Sequence, residues 1–156
     1  MQYTPAELVT AWQDATTAHE QVQRIAADLK GDIEAYPTLR VTAAAARDAY
    51  AKWGDLFTYD AIADQIRDLG RHVRAYLFSL TDDDIYQLAV GYGFPGHVVY
   101  EVSAHALRWW LDTAWADDNP KKTYVYEEAI RRGYKRAVQD PDAIKTRLFV
   151  IFTSGI

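Results

Sequence analysis

The sequence has no cysteine in 156 residues and a single methionine. Without thiols there can be no disulfides, thiolate metal sites or cysteine nucleophiles, and the redox compartment stays open. No apolar run approaches the roughly 20 residues that span a bilayer, so no membrane partner is expected. The opening MQYTPAEL lacks the basic-then-apolar order of a signal peptide, and a cytoplasmic location is the expectation. Internal repeats, linkers and low-complexity tracts are also lacking, which predicts one domain over residues 1–156.

What is present is a globular balance, 49% hydrophobic and 25% charged, with the charge unevenly placed. Residues 1–120 carry 9 basic and 18 acidic side chains, a balance of −9, whereas residues 121–147 carry 8 basic and 4 acidic, a balance of +4, giving the net −5. Such polarity steers partners or favours head-to-tail self-association. Direct binding of nucleic acid is not expected, because a general nucleic-acid binder is basic throughout its domain.

Helical signals run along the chain. Thr4-Pro5-Ala6-Glu7 combines an N-cap, a first-turn proline and a capping-box glutamate. Leu8, Trp12, Ala15, His19, Val22, Ala26, Leu29 and Ile33 follow at alternating four- and three-residue steps, a heptad-like seam. The first helix is placed to end near Lys30, with an extra turn to Tyr36 before Pro37. A second, alanine-rich helix is predicted over Thr42–Trp53, ended by Gly54. A third, capped by Thr58, carries Ile62, Ile66, Leu69, Val73, Leu77 and Leu80 on one face. Gly70 interrupts it and suggests a close crossing. The rival reading makes 71–80 a strand, and 147–153 a second one, in an α+β fold. Thr81 followed by Asp82, Asp83 and Asp84 opens a fourth helix to about Val90, the acids sitting where the helix dipole favours them. Thr123 and Asp140-Pro141 start two more.

Bulk is concentrated in Gly91–Trp115, which holds three of the five tryptophans. Read as one helix from Pro95 to Trp115 at about 100° per residue, it is apolar over most of its girth, which is the pattern of a buried helix. Trp109 is its expected anchor. The fold predicted is therefore all-α, a single-domain helical bundle of five to seven helices around this central buried helix. The long first helix and four-helix-like plan resemble metal-binding bundles of the DinB type in outline. Their paired His-x-x-x-His motif is absent, and no residue is carried over.

On that helix His97, Glu101, His105, Arg108 and Asp112 form one narrow polar stripe. Imidazole and carboxylate at steps of four can share a divalent ion, with a further ligand from Asp112, His19 or His72. The competing reading is a solvated stripe held by the i, i+4 pairs Glu101–His105 and Arg108–Asp112, and it is preferred, so no metal or cofactor is expected. His19, on the seam, is read as a core histidine with a hydrogen-bond partner, and His72 as a surface one. Gly91-Tyr92-Gly93-Phe94-Pro95-Gly96 matches G-x-G-x-x-G, but helix-start residues precede it instead of a strand. It is read as an interhelical turn packing Tyr92 and Phe94.

Arg131, Arg132, Lys135 and Arg136, with Lys121 and Lys122 upstream and Tyr134 beside them, form the preferred partner-binding surface. The leading expectation is a non-enzymatic interaction module, binding a protein partner or its own copies, as inhibitors, adaptors or assembly subunits of phages and mobile elements do. The alternatives are a helical-bundle metal-dependent enzyme using His97, Glu101 and His105, and an acidic protein competing with nucleic acid for a basic partner. Reversing Arg132 and Arg136 to Glu should weaken association at least tenfold, about 1.4 kcal/mol, with the melting temperature nearly unchanged. Unchanged light scattering and pulldown, in the variant and at high salt, would reduce the patch to a solvated face.

Overall fold

The computed structural model describes residues 3–54, 59–97 and 99–115. These residues are helical, as the periodicity predicts, with five α-helices and no strand among them. The chain divides into two compact units, Met1–Ser79 and Leu80–Ile156.

In the first unit α1 spans Pro5–Asp28, α2 Tyr36–Ala51 and α3 Tyr59–Ser79. The predicted start of α1 is present: the Thr4 hydroxyl accepts from the Glu7 amide and donates to the Glu7 carboxylate, both at 3.2 Å. Leu8, Ala11, Ala15, His19, Val22 and Ala26 form its buried face. The seam stops earlier than expected. Leu29 is the C-cap, its side chain 44% exposed, and Gly31 turns the chain at φ +83°, a conformation open to glycine without a Cβ penalty. A 3-10 turn over Ile33–Ala35, capped by Asp32, replaces the predicted extension of α1.

The boundary of α2 corrects the Thr42 start. Pro37 lies in the first turn of α2, where its missing N–H costs nothing, so it opens this helix instead of ending the previous one. Ala43 and Ala46 are fully buried along with Ala15 of α1. Small side chains at these positions let α1 and α2 lie close, and α3 packs against both.

Residues 71–79, the rival strand, are the second half of α3, and Leu80 follows the helix end without pairing as a strand. Leu69, Val73, Tyr76 and Leu77 are fully buried on one face at three- and four-residue steps. Gly70 marks no close crossing, since a Cβ there would meet nothing within 4 Å. The predicted Thr58 cap, the helices begun by Thr123 and Asp140, and the rival strand at 147–153 lie outside the described residues.

In the second unit α4 spans Asp82–Gly91 and α5 Ala104–Ala114. Thr81 caps α4, accepting from the Asp84 amide at 3.2 Å. The glycine-rich stretch is the end of this helix. Gly93, at φ +105°, donates to the Val90 carbonyl at 3.1 Å, and Phe94 reaches back to Ala89 at 2.9 Å. That pair of bonds is a Schellman motif, and it drives Phe94 inward, edge-on to Trp110 at 5.4 Å between ring centroids.

The single helix predicted from Pro95 to Trp115 is not formed. Pro95 and Gly96 stay in the turn, Val99–Glu101 makes a 3-10 turn, and α5 begins only after Ser103. Ser103 competes for the backbone: extended at ψ 147°, it accepts from the Ala106 amide at 3.1 Å and starts a new helix. The apolar girth survives on the shorter α5, where Ala106, Leu107, Trp110 and Leu111 are buried. Trp110, at 0% exposure, is the anchor, while Trp109 is only half-buried.

Two stability measurements check this description. Trp110→Ala should cost about 3–5 kcal/mol in chemical denaturation and Trp109→Ala distinctly less; the reverse order would misplace the core of α5. Gly70→Ala should stabilise by up to about 1 kcal/mol, the helix-propensity difference, and a loss instead would restore the close crossing.

Candidate metal centre

His19 lies on the face of α1 that α2 and α3 cover, and a buried imidazole needs partners for both nitrogens. Each of the other two helices supplies one. Nδ1 is 2.8 Å from the Tyr50 hydroxyl of α2, and Nε2 is 2.7 Å from Asp68 Oδ2 of α3. Asp68, Arg71 and His72 sit three and four residues apart and so share a face of α3. Arg71 donates to Asp68 Oδ1 at 2.7 Å, and His72 Nε2 is 3.4 Å from Asp68 Oδ2. Both histidines therefore converge on one carboxylate oxygen, and Arg71 holds the other.

The charges follow from these contacts. The Arg71 hydrogen bond, above all, holds the Asp68 carboxyl down at about 2; partial burial opposes it, and the His19 hydrogen bond and both imidazoles add to it. An ionised carboxylate accepts only, so the proton between Asp68 and a neutral His19 resides on Nε2. Nδ1 is then the acceptor for the Tyr50 hydroxyl. Burial pushes the Tyr50 phenol up, a hydrogen bond from Thr16 lowers it, and the Asp68 and Glu20 charges raise it further. The phenol stays protonated near neutrality.

The group borders a cleft of about 290 Å³ whose lining includes Trp12, Thr16, His19, Glu20, Tyr50 and Asp68. Trp12 is held by edge-on contacts to Tyr50 at 5.4 Å and Trp53 at 5.5 Å. Ligand atoms of His19, Asp68 and His72 all lie within 4.8 Å of one another, the one such group of His, Asp or Glu among the described residues. Atoms bound to a tetrahedral zinc ion at about 2.0–2.1 Å stand roughly 3.3–3.5 Å apart. The His72–Asp68 edge, 3.4 Å, already has that length, and the His19–Asp68 edge, 2.7 Å, must open.

The stripe predicted from sequence is dispersed. His97 is exposed in the turn after α4, and Glu101 is exposed at the end of a 3-10 turn. His105, half-buried on α5, accepts from the Trp109 indole at 3.0 Å. Arg108 reaches across to α4, donating to Asp82 at 3.0 Å and to the Leu80 carbonyl at 2.7 Å. Asp112 is buried. His19 and His72, named as additional ligands, are the ones brought together. His72 is only partly at the surface, its side chain 32% exposed. Asp68, which joins them, was not singled out; its signal was the Asp68-x-x-x-His72 spacing opposite a seam histidine. Lys121, Lys122, Arg131, Arg132, Tyr134, Lys135 and Arg136 lie outside the described residues.

No family model, curated protein or solved structure matches the sequence.

A folded-state value of about 2, against 3.8 in a free chain, makes Asp68 stabilising above about pH 4, and that contribution is lost as the pH falls through 2. The wild-type melting temperature should therefore drop more steeply between pH 4 and 2 than that of the Asp68→Asn variant. Parallel acid slopes would show that Asp68 titrates at its ordinary value.

Proposed function

We propose that the protein is a metal-binding helical bundle whose first unit holds a divalent ion, zinc by preference, through His19, Asp68 and His72. The observation that carries this reading is the convergence of three ligand atoms within 4.8 Å beside a cleft. Two imidazoles and one carboxylate are the donor set of zinc and of several other first-row ions. Three protein ligands leave a position for water, the arrangement of catalytic rather than structural zinc, so the reading extends to activation of a bound water toward hydrolysis. It keeps the class of the metal-enzyme alternative and replaces its residues, since His97, Glu101 and His105 sit on three separate segments.

The same side chains also make a complete ion-pair network without metal, which is the outcome the experiment must separate. The interaction-module reading and its nucleic-acid-competing variant depend on the charge layout and on residues 121–136, and gain no support from this geometry.

Isothermal titration of chelator-treated protein with zinc, with elemental analysis of protein purified without added metal, tests the proposal. One ion per chain is expected, at micromolar affinity or tighter, with a melting temperature that rises as zinc is added; at 100 times Kd the stabilisation is about 2.7 kcal/mol. His72→Ala should weaken binding at least tenfold while preserving the fold, because its side chain is 32% exposed. Absence of both stoichiometric binding and the thermal shift would leave only the ion-pair network.

A further inference from the structure

Tyr50 presents its hydroxyl to His19 Nδ1 at 2.8 Å, which has a chemical consequence for ion binding that rests on the metal-binding reading above. The nitrogen of His19 that faces the ligand group is Nε2, 2.7 Å from Asp68 Oδ2. In a neutral imidazole without an ion, the proton on Nε2 is donated in a hydrogen bond to the Asp68 carboxylate, and bare Nδ1 accepts from the Tyr50 hydroxyl at 2.8 Å. An ion needs the Nε2 lone pair. A neutral imidazole keeps one proton, so that proton must then reside on Nδ1. There it points at the Tyr50 oxygen, which must change from donor to acceptor.

We infer that Tyr50 is a positioning residue for the metal centre, reversing its hydrogen bond with His19 when an ion binds. For a neutral imidazole the protons balance: Nε2 loses one and Nδ1 gains one. The tyrosine hydroxyl needs a second acceptor once its own proton turns away from Nδ1. Thr16, one turn before His19 on α1 and lining the same cleft, donates its hydroxyl to that phenol, and a hydroxyl can turn about to accept instead. A hydroxyl is suited to this position because it serves in either direction. A backbone carbonyl would only accept and would fix the Nδ1–H form; an ammonium would only donate and would oppose it. Phenylalanine would serve neither. Fixing the ligand tautomer through the far nitrogen is how residues behind a metal-bound histidine raise its basicity. The edge-on packing of the Tyr50 ring against Trp12 at 5.4 Å keeps the hydroxyl aimed while its proton moves.

The test is made on the full chain, labelled with 15N at histidine, with zinc as the probe. Long-range proton–nitrogen spectra should show His19 protonated at Nε2 in chelator-treated protein and at Nδ1 after one equivalent of zinc. Tyr50→Phe, which retains the ring, should weaken zinc binding by about 10- to 100-fold, with the circular dichroism of the wild type. If that variant fails to fold, the tautomer exchange in the wild type still decides. Zinc binding with His19 ligated through Nδ1, with no tautomer exchange, or with equal affinity in a folded Tyr50→Phe variant, overturns the inference and leaves the metal reading standing. A wild type that binds no zinc overturns both.

Discussion

Everything in the first unit answers to the burial of one imidazole. His19 is 6% exposed in a seam of small and aliphatic side chains, where an unpaired nitrogen would cost several kcal/mol. Its two nitrogens point at two different helices, so α2 must present Tyr50 and α3 must present Asp68 at hydrogen-bonding distance simultaneously. Apolar packing tolerates sliding of one helix along another; two polar contacts of 2.7 and 2.8 Å do not. The buried face of α1 supplies most of the attraction, and this pair of hydrogen bonds sets the register. Arg71 and His72 then gather on Asp68 because α3 brings them round to the same face.

The second unit solves a different problem, the termination and restart of the chain between two helices. Gly93 ends α4 and turns Phe94 into the core against Trp110. Arg108 satisfies the Leu80 carbonyl just ahead of α4 and an aspartate of its first turn together. These contacts join the start and the end of α4 to α5, which compensates for a helix of only ten residues.

The helical class and the caps at Thr4 and Thr81 were legible because they depend on local chemistry. Thr4, Thr81 and the spacing of Leu69, Val73 and Leu77 act within a turn or two of themselves. Boundaries set by competition between neighbours were not. Pro37 can stop one helix or begin the next, and the choice went to the helix that gained Leu39 and Ala43 as buried residues. Ser103 reads as an ordinary helix-face residue until its side chain takes the Ala106 amide. A stripe holding His97 and Glu101 presupposes the helix that Ser103 interrupts. His19 was legible as a buried histidine with a hydrogen-bond partner, and it is one; His72, read as a surface residue, is half-buried. Asp68 was hidden among the exposed acids of α3, and only the approach of α1 to α3, a contact 49 residues long in sequence, distinguishes it.

The turn after α1 has a further consequence, for the order in which the unit assembles. Gly31 donates its amide to the Ser79 hydroxyl at 3.1 Å, and the Tyr76 hydroxyl reaches the Asp32 carbonyl. The corner between the first two helices is thus fastened by the last turn of the third. An α1–α2 hairpin that leaves the ribosome ahead of α3 has its helices and its alanine contacts, but its corner stays unfastened until the chain has been made through Ser79. Closure over that separation delays the final step, and it makes fraying of the α3 C-terminus and loosening of the corner one cooperative event rather than two.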